Sequence, residues 1–434
     1  MKRLLLFGWI LFAHTAPAQT VLRNVQETID LARRQNPDLQ VARQNRQTQE
    51  PQLTAARSAL MPQARAFTNL DYNFQLPVQL IPAEFLPGGR PGEVREVQFG
   101  LPFNLTAGVE VTAPLLNKPA RLDVELAQQN LQLIDGQNLI LQDDISTQTA
   151  RVYHAALLTR SVIDLARRNV ANTDTIVTIA RARLEKGLIE PLEVNRLQSL
   201  RLTNEDVLRQ NELNYVRNMN QLKFLLGLTP QDSLVLTQNL AELVFASEPA
   251  LTLAERPQVM LRRSQLDLYR LQYDREKALR RPTLSAYTRY SAQAQRRQFN
   301  FLNVNQPWFP IGVAGLQFNV PIYTGGIRDA NLTRARLRIR QAETELAVEQ
   351  NRIDVDNQDV LNTYNQAIQS LDLNRQNLAL SEQNTRIALV KYRSGLFAYD
   401  QYLNVFNEAI NAQNRYLTNL SNALVNLTIL EVRK

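Results

Sequence analysis

The sequence predicts an α+β fold written twice, each copy joining short alternating strands to a very long helix. Three observations carry this expectation: a set of landmarks that recur at a nearly constant offset, strict period-two stretches of about ten residues, and heptad seams sustained for nearly six repeats. The landmarks are Pro37 and Pro257, then Pro62 and Pro282, both pairs 220 residues apart. "AGVEVTAPLLN" (107–117) and "AGLQFNVPIYT" (314–324) follow at 207, and Gly187 and Gly395 at 208. The first copy therefore carries 13 extra residues between Pro62 and Pro114.

Taken in order, residues 1–18 read as a secretory signal peptide. Lys2 and Arg3 precede the apolar run Leu4–Ala13, and Ala16-Pro17-Ala18 supplies small residues before a cut at Gln19. A membrane anchor needs about 20 apolar residues, about twice that run. The first repeat is expected over 19–227, a linker over 228–250 and the second repeat over 251–434, each repeat reading helix, strand, loop, strand, long helix, Gly-Leu break, helix.

Strands are expected at about 63–76 and 98–113, and at about 283–298 and 310–322. In the first, Ala64, Ala66, Leu70 and Tyr72 alternate with Arg65, Asn69, Asp71 and Asn73; Leu284, Ala286, Tyr290 and Ala292 alternate with Ser285, Arg289, Ser291 and Gln293 in the same parity. One apolar and one wet face fit a strand of an outer-membrane barrel or of a soluble sandwich, and alternation alone leaves both open. The segment with Pro77, Pro82, Pro87, Pro91 and Gly88-Gly89 reads as a long loop.

The long helices begin near Pro119 and Ile327. Their seams run Ile145, Thr149, Val152, Ala156 and on to Leu184, and Ile353, Asn357, Val360, Tyr364 and on to Tyr392. At 1.5 Å per residue each helix reaches roughly 100 Å, too long for a globular domain. The small and polar residues in both seams suit a wall in which each helix touches two neighbours. Return helices follow both Gly-Leu breaks, which makes each break the tip of a helical hairpin, near 187 and near 395.

With the duplicated unit, the Asn36-Pro37 and Arg256-Pro257 breaks, the Ala-Leu-x-Pro-type strand entries and the tips Lys186-Gly187-Leu188 and Ser394-Gly395-Leu396, the chain resembles the TolC-type outer-membrane efflux and secretion channels over residues 20–431. The resemblance implies an internally duplicated α+β membrane protein. Its homotrimer would form a 12-stranded outer-membrane β-barrel, four strands per chain, continued by a long periplasmic α-helical coiled-coil barrel. It also implies a passive, gated exit duct of a tripartite efflux or type I secretion system, set in the lipid of a Gram-negative outer membrane with a large periplasmic portion. A periplasmic adaptor and an inner-membrane pump would be the partners. Lys186, Gly187, Leu188, Ser394, Gly395 and Leu396 fall where family members meet the adaptor, and Arg183, Glu190, Glu193, Tyr392, Arg393, Asp400, Gln401 and Asn404 are gate candidates. Family members often carry acids six and nine residues beyond the second tip; here those places hold Gln401 and Asn404, with Asp400 one position earlier. The competing class is a periplasmic coiled-coil adaptor or structural spacer without a pore, against which two hairpins and four alternating strands argue.

Composition narrows the chemistry. There is no cysteine, which excludes disulfides and a cysteine-linked lipid anchor. The net charge of +8 becomes +6 without Lys2 and Arg3, and the basic residues are scattered rather than clustered with aromatics, so nucleic acid is not an expected partner. His154 is the single histidine after residue 18 and reads as an ordinary helix residue. Catalytic triads and His/Cys metal sites lack their parts, and no cofactor, metal or enzymatic activity is expected. Asp143-Asp144 reads as a solvated or lumen-facing pair.

Overall fold

A computed structural model of the chain describes residues 20–85, 87–88, 90–240, 255–303 and 305–433. The expected signal peptide and the linker residues 241–250 lie outside the described residues. In chain order the elements are β1 (Thr20–Leu22), α1 (Val25–Gln35), α2 (Pro37–Ser58), β2 (Gln63–Tyr72), β3 (Val78–Pro82), β4 (Val94–Gln98), β5 (Phe103–Leu116), α3 (Lys118–Glu185) and α4 (Pro191–Leu225). The second half continues with β6 (Leu234–Leu236), α5 (Pro257–Ala278), β7 (Thr283–Arg296), β8 (Phe309–Asn319), α6 (Ile327–Arg393) and α7 (Tyr399–Val432). Helices α3 and α6 are 68 and 67 residues long. The chain divides into two compact units, each drawing on both sequence repeats.

One unit comprises Met1–Arg46, Ile134–Arg262 and Leu346–Lys434. Its helices pack along the expected seams: Ile145, Thr149, Ala156, Thr173 and Ala180 of α3 and Tyr364, Ala388 and Tyr392 of α6 are all buried. Small residues in the seams let helix axes approach closely, while each buried Ile or Leu beside them contributes about 1.5–3 kcal/mol. Polar bonds fix which helices are neighbours. Asn218 donates to Thr159 Oγ1 (3.1 Å), tying α4 to α3. Asn169 donates to Gln413 Oε1 (3.1 Å), tying α3 to α7, and Arg433 donates to Asn357 Oδ1 (2.8 Å), tying α7 to α6. The order is α4–α3–α7–α6, so α4 and α6 are the lateral helices.

The breaks at the two prolines have local causes. Asn36 accepts from the backbone N–H groups of Asp38 (2.9 Å) and Leu39 (3.2 Å), capping α2, and donates to the Leu225 carbonyl (2.9 Å). At the second break Arg256 makes a well-covered ion pair with Asp143 (2.8 Å). Asp143 is therefore not solvated as its sequence context suggests, and burial pushes its carboxyl upward, with Arg256 opposing that push. Thr20–Leu22 pairs in parallel with Leu234–Leu236, a small sheet that sequence periodicity does not announce because three residues are too few to show it.

His154, read from sequence as an ordinary helix residue, is buried in α3. The Thr428 hydroxyl donates to the Leu424 carbonyl (2.9 Å), so its oxygen accepts from His154 Nδ1–H at 2.6 Å. His154 Nε2 is buried without a hydrogen-bond partner among the described residues, and burial lowers the imidazole pKa to about 4. The folded chain holds His154 neutral while the unfolded chain takes up a proton below about pH 6.5. Its stabilising contribution is complete above that pH and is lost as pH falls toward 4, by up to about 3 kcal/mol. In His154→Asn, thermal unfolding followed by circular dichroism is expected to lose less stability than wild type between pH 7 and 4.5; equal losses would exclude this role.

The other unit comprises Gln47–Leu133 and Arg263–Glu345. It holds a four-stranded antiparallel sheet in the order β2-β5-β7-β8. The strand limits differ from expectation: β2 stops at Tyr72 rather than 76, β5 runs Phe103–Leu116 rather than 98–113, β7 ends at Arg296 rather than 298, and β8 runs Phe309–Asn319 rather than 310–322. Prolines explain two of these limits, since Pro102 and Pro321 stand at the start of β5 and beyond the end of β8 and lack the N–H that a ladder needs. The expected long loop is also corrected. Within it β3 and β4 form an antiparallel hairpin, with Val78 opposite Gln98 and Pro82 opposite Val94.

Register places like with like. Ala66, Val109, Tyr290 and Gly312 form one row across the sheet, and Arg65, Glu110, Arg289 and Val313 the adjacent row on the other face. On the first face Leu70, Tyr72, Val109, Tyr290, Leu316 and Phe318 are all about half or more exposed. The second face carries most of the polar residues, with Phe67, Tyr287 and, from β8, Phe309, Ile311 and Val313 as its apolar members. Alternation thus fails in the first half of β8.

Candidate functional site

The two hairpin tips are built by the same local device. At the end of α3 the Gly187 N–H reaches the Leu184 carbonyl (2.8 Å) and the Leu188 N–H the Arg183 carbonyl (2.9 Å). At the end of α6, Gly395 bonds Tyr392 (3.1 Å) and Leu396 bonds Lys391 (2.9 Å) in the same pattern. This is the Schellman cap, which needs a left-handed residue; Gly187 and Gly395 have φ of 69° and 80°.

A third Gly-Leu shows what is particular about the tips. Gly227-Leu228 closes α4 with the same pair of bonds (3.0 and 2.8 Å). There the leucine packs into a hydrophobic core, and a Cβ on Gly227 would lie 2.5 Å from the Gln35 carbonyl oxygen. At the tips the leucines are 63% (Leu188) and 75% (Leu396) exposed, and a Cβ on Gly187 would meet nothing within 4 Å. The cap is common to all three ends; only the tips present its leucine to solvent.

Beneath the tips one hydrophobic cluster joins both hairpins. Ile176, Val177 and Ala180 of α3, Val194 and Leu197 of α4, Ala388 and Tyr392 of α6, and Tyr399, Tyr402 and Phe406 of α7 are buried together. The rings of Tyr392 and Tyr402 lie 5.8 Å apart, and those of Tyr402 and Phe406 stack at 6.0 Å. Burial pushes the phenol pKa of Tyr402 upward, and also that of Tyr392, against the opposing charge of Arg183. Both are neutral phenols at any physiological pH.

The structure brings together two of the gate candidates. Arg183 Nη1 donates to the Tyr392 carbonyl (3.3 Å), and its guanidinium stands over the Tyr392 ring, 5.2 Å from the centroid. One cation thereby caps the last turn of α6 while anchored on α3, a placement that favours the helix C-terminus. The remaining candidates do not join this contact. Glu190 is the N-cap position of α4 without a side-chain cap bond, and Glu193, in its first turn, is half-buried. Gln401 Oε1 accepts from the Ala398 N–H (3.0 Å), so it serves the start of α7. Ser394 donates to the Lys391 carbonyl (3.1 Å). Lys186, Arg393, Asp400 and Asn404 are exposed. Phe406 belongs to the apolar spacing that sequence gives the return helix, whereas Tyr399 and Tyr402 do not stand out in sequence, although their spacing of three and four to Phe406 marks one face of a helix.

A second candidate surface is the polar face of the sheet. Arg65 donates to Glu110 Oε1 (2.9 Å) and Arg289 Nε to Glu110 Oε2 (2.7 Å), one carboxylate bridging three strands. The Arg289 guanidinium also covers the Phe67 ring at 5.5 Å. Among the described residues no group of three or more His, Asp or Glu is placed to hold a metal ion.

Comparison with known proteins decides the class. Residues 249–431 match the family model of the outer membrane efflux proteins. That match spans the second half of the chain. A search of curated sequences gives no match, whereas solved structures match this chain over almost its whole length. CusC, known from crystal structures of transmembrane channel formation, superposes with a TM-score of 0.77 at 16% identity, covering 97% of this chain and 94% of CusC. VceC, an outer membrane protein of Vibrio cholerae, gives 0.71 at 17% identity, covering 94% and 95%. The open-state outer membrane channel MtrE of Neisseria gonorrhoeae gives 0.72 at 17% identity, covering 94% and 88%. The fold is that of these outer-membrane channels.

Proposed function

We propose that this chain is the outer-membrane exit duct of a tripartite efflux or type I secretion system. It would act as a homotrimer that passively conducts solutes from a periplasmic adaptor and inner-membrane pump to the exterior. The observation that carries this reading is the sheet with two unlike faces and two open edges. Its exposed apolar face suits lipid and its polar face suits water. Four strands are too few to close a barrel, for which eight is the minimum, so copies must join β8 of one to β2 of the next.

The helices argue the same way. In the helical unit the exposed large apolar side chains gather on the lateral helices: Leu202, Leu213 and Val216 on α4, and Leu373, Leu380 and Ile387 on α6. Among the described residues α7 exposes none. Two different edges that complement each other form a head-to-tail ring rather than a two-fold dimer. Three copies give the 12 strands that the resemblance implies. No described helix is long and apolar enough to cross a membrane.

In this reading the exposed tips Lys186-Gly187-Leu188 and Ser394-Gly395-Leu396 meet the adaptor. The Arg183–Tyr392 contact is the polar clasp of the gate, holding the two hairpins of one chain together in the closed state; Glu190, Glu193, Arg393, Asp400, Gln401 and Asn404 are the further gate candidates. Membrane fractionation tests the reading: the chain is expected in the outer membrane as a heat-labile trimer, and recovery as a soluble periplasmic protein would favour a spacer.

A further inference from the structure

We propose that Arg65 and Arg289 form a cationic belt inside the barrel that makes it favour anionic solutes, with Glu110 setting the strength of the belt. The inference rests on the channel reading and adds a selectivity element to it. Arg65, Glu110 and Arg289 are direct cross-strand partners in a single row on the polar face of the sheet. In a barrel whose apolar face meets lipid, that row faces the water-filled lumen.

The charges are not equally presented. The Glu110 side chain is only 11% exposed, covered by the two guanidiniums that it bridges, whereas Arg65 is 69% and Arg289 48% exposed. A passing ion therefore meets guanidinium first. Each chain contributes two positive charges and one negative at this level, a net +1 per chain and +3 around a three-chain ring. The other charge on this face within the four strands is Asp71, three rows nearer the strand ends that lead into the β3–β4 hairpin. The belt is thus separated from the acid that would cancel it. Structural cross-bracing of three strands is a simultaneous role of the triad. It does not need the excess of cation over anion.

Purified wild-type protein, Glu110→Gln and the double variant Arg65→Gln/Arg289→Gln would be inserted in planar bilayers. Reversal potentials would be read in a KCl gradient near 10 mM, where the screening length is about 30 Å. Removing the carboxylate takes away one negative charge per chain, and the chloride-to-potassium permeability ratio is expected to rise about two- to five-fold. The double variant is expected to lower the ratio below wild type. Heat-labile trimers on gels would establish that each variant assembles. Open pores with the same ratio in all three proteins would overturn the belt and leave the channel standing. Assembled wild-type trimers that never conduct would overturn the channel reading, and the belt with it.

Discussion

Replacing Gly187 or Gly395 by aspartate is expected to abolish efflux, at least tenfold in a whole-cell transport assay, while the protein still assembles. Both glycines hold φ near 70–80° in the Schellman caps, where an L-residue costs about 1–2 kcal/mol. That is too little to unfold helices buried along seams of this length, and a Cβ on Gly187 has open space around it. The loss would therefore come from the surface. A carboxylate beside the exposed Leu188 or Leu396 puts a charge where an apolar partner must dock. Gly→Asn at the same positions keeps the left-handed cap with a neutral side chain, and is expected to retain more transport. Normal efflux in both aspartate variants would remove the tips from the docking surface.

The second large effect is expected at the lateral helices. Leu380→Asp combined with Ile387→Asp should dissociate the proposed trimer and eliminate its heat-labile band on gels. These residues are 61% and 47% exposed in the single chain, so the chain itself loses little when they change. They sit seven residues apart on one stripe with Leu373, which gives α6 a second seam beside the one it uses within the chain. Burying two carboxylates there, repeated at every interface of a ring, costs several kcal/mol per contact. Changing Arg375, exposed on the same helix, to alanine should leave the trimer intact. A stable trimer in the double aspartate variant would place the interface elsewhere.

Much of this architecture was legible in the sequence because its periods are long. The α3 and α6 seams reach Leu184 and Tyr392 in one register, and the helix limits follow directly from them. What escaped depends on pairing partners that no local pattern encodes. The ladder Arg65–Glu110–Arg289 exists only once β2, β5 and β7 take their register, which pairs residues as far apart as Glu110 and Arg289, 179 positions, and further. Prolines suggested a plain loop where β3 and β4 pair, because Pro77 flanks β3 and Pro82 closes it, and strand ends tolerate a missing N–H. The burial of His154 and Asp143 likewise depends on α7 and on Arg256, far away in sequence. At the tips the glycines were readable, but the clasp between Arg183 and Tyr392 needed the two repeats side by side.

The central claim is that copies of this chain close head to tail into one outer-membrane pore. Native mass measurement of the detergent-extracted outer-membrane fraction tests it most directly. An assembly of three chains that dissociates on heating is expected; a monomer, a two-fold dimer, or recovery of the chain in the soluble periplasmic fraction would contradict it.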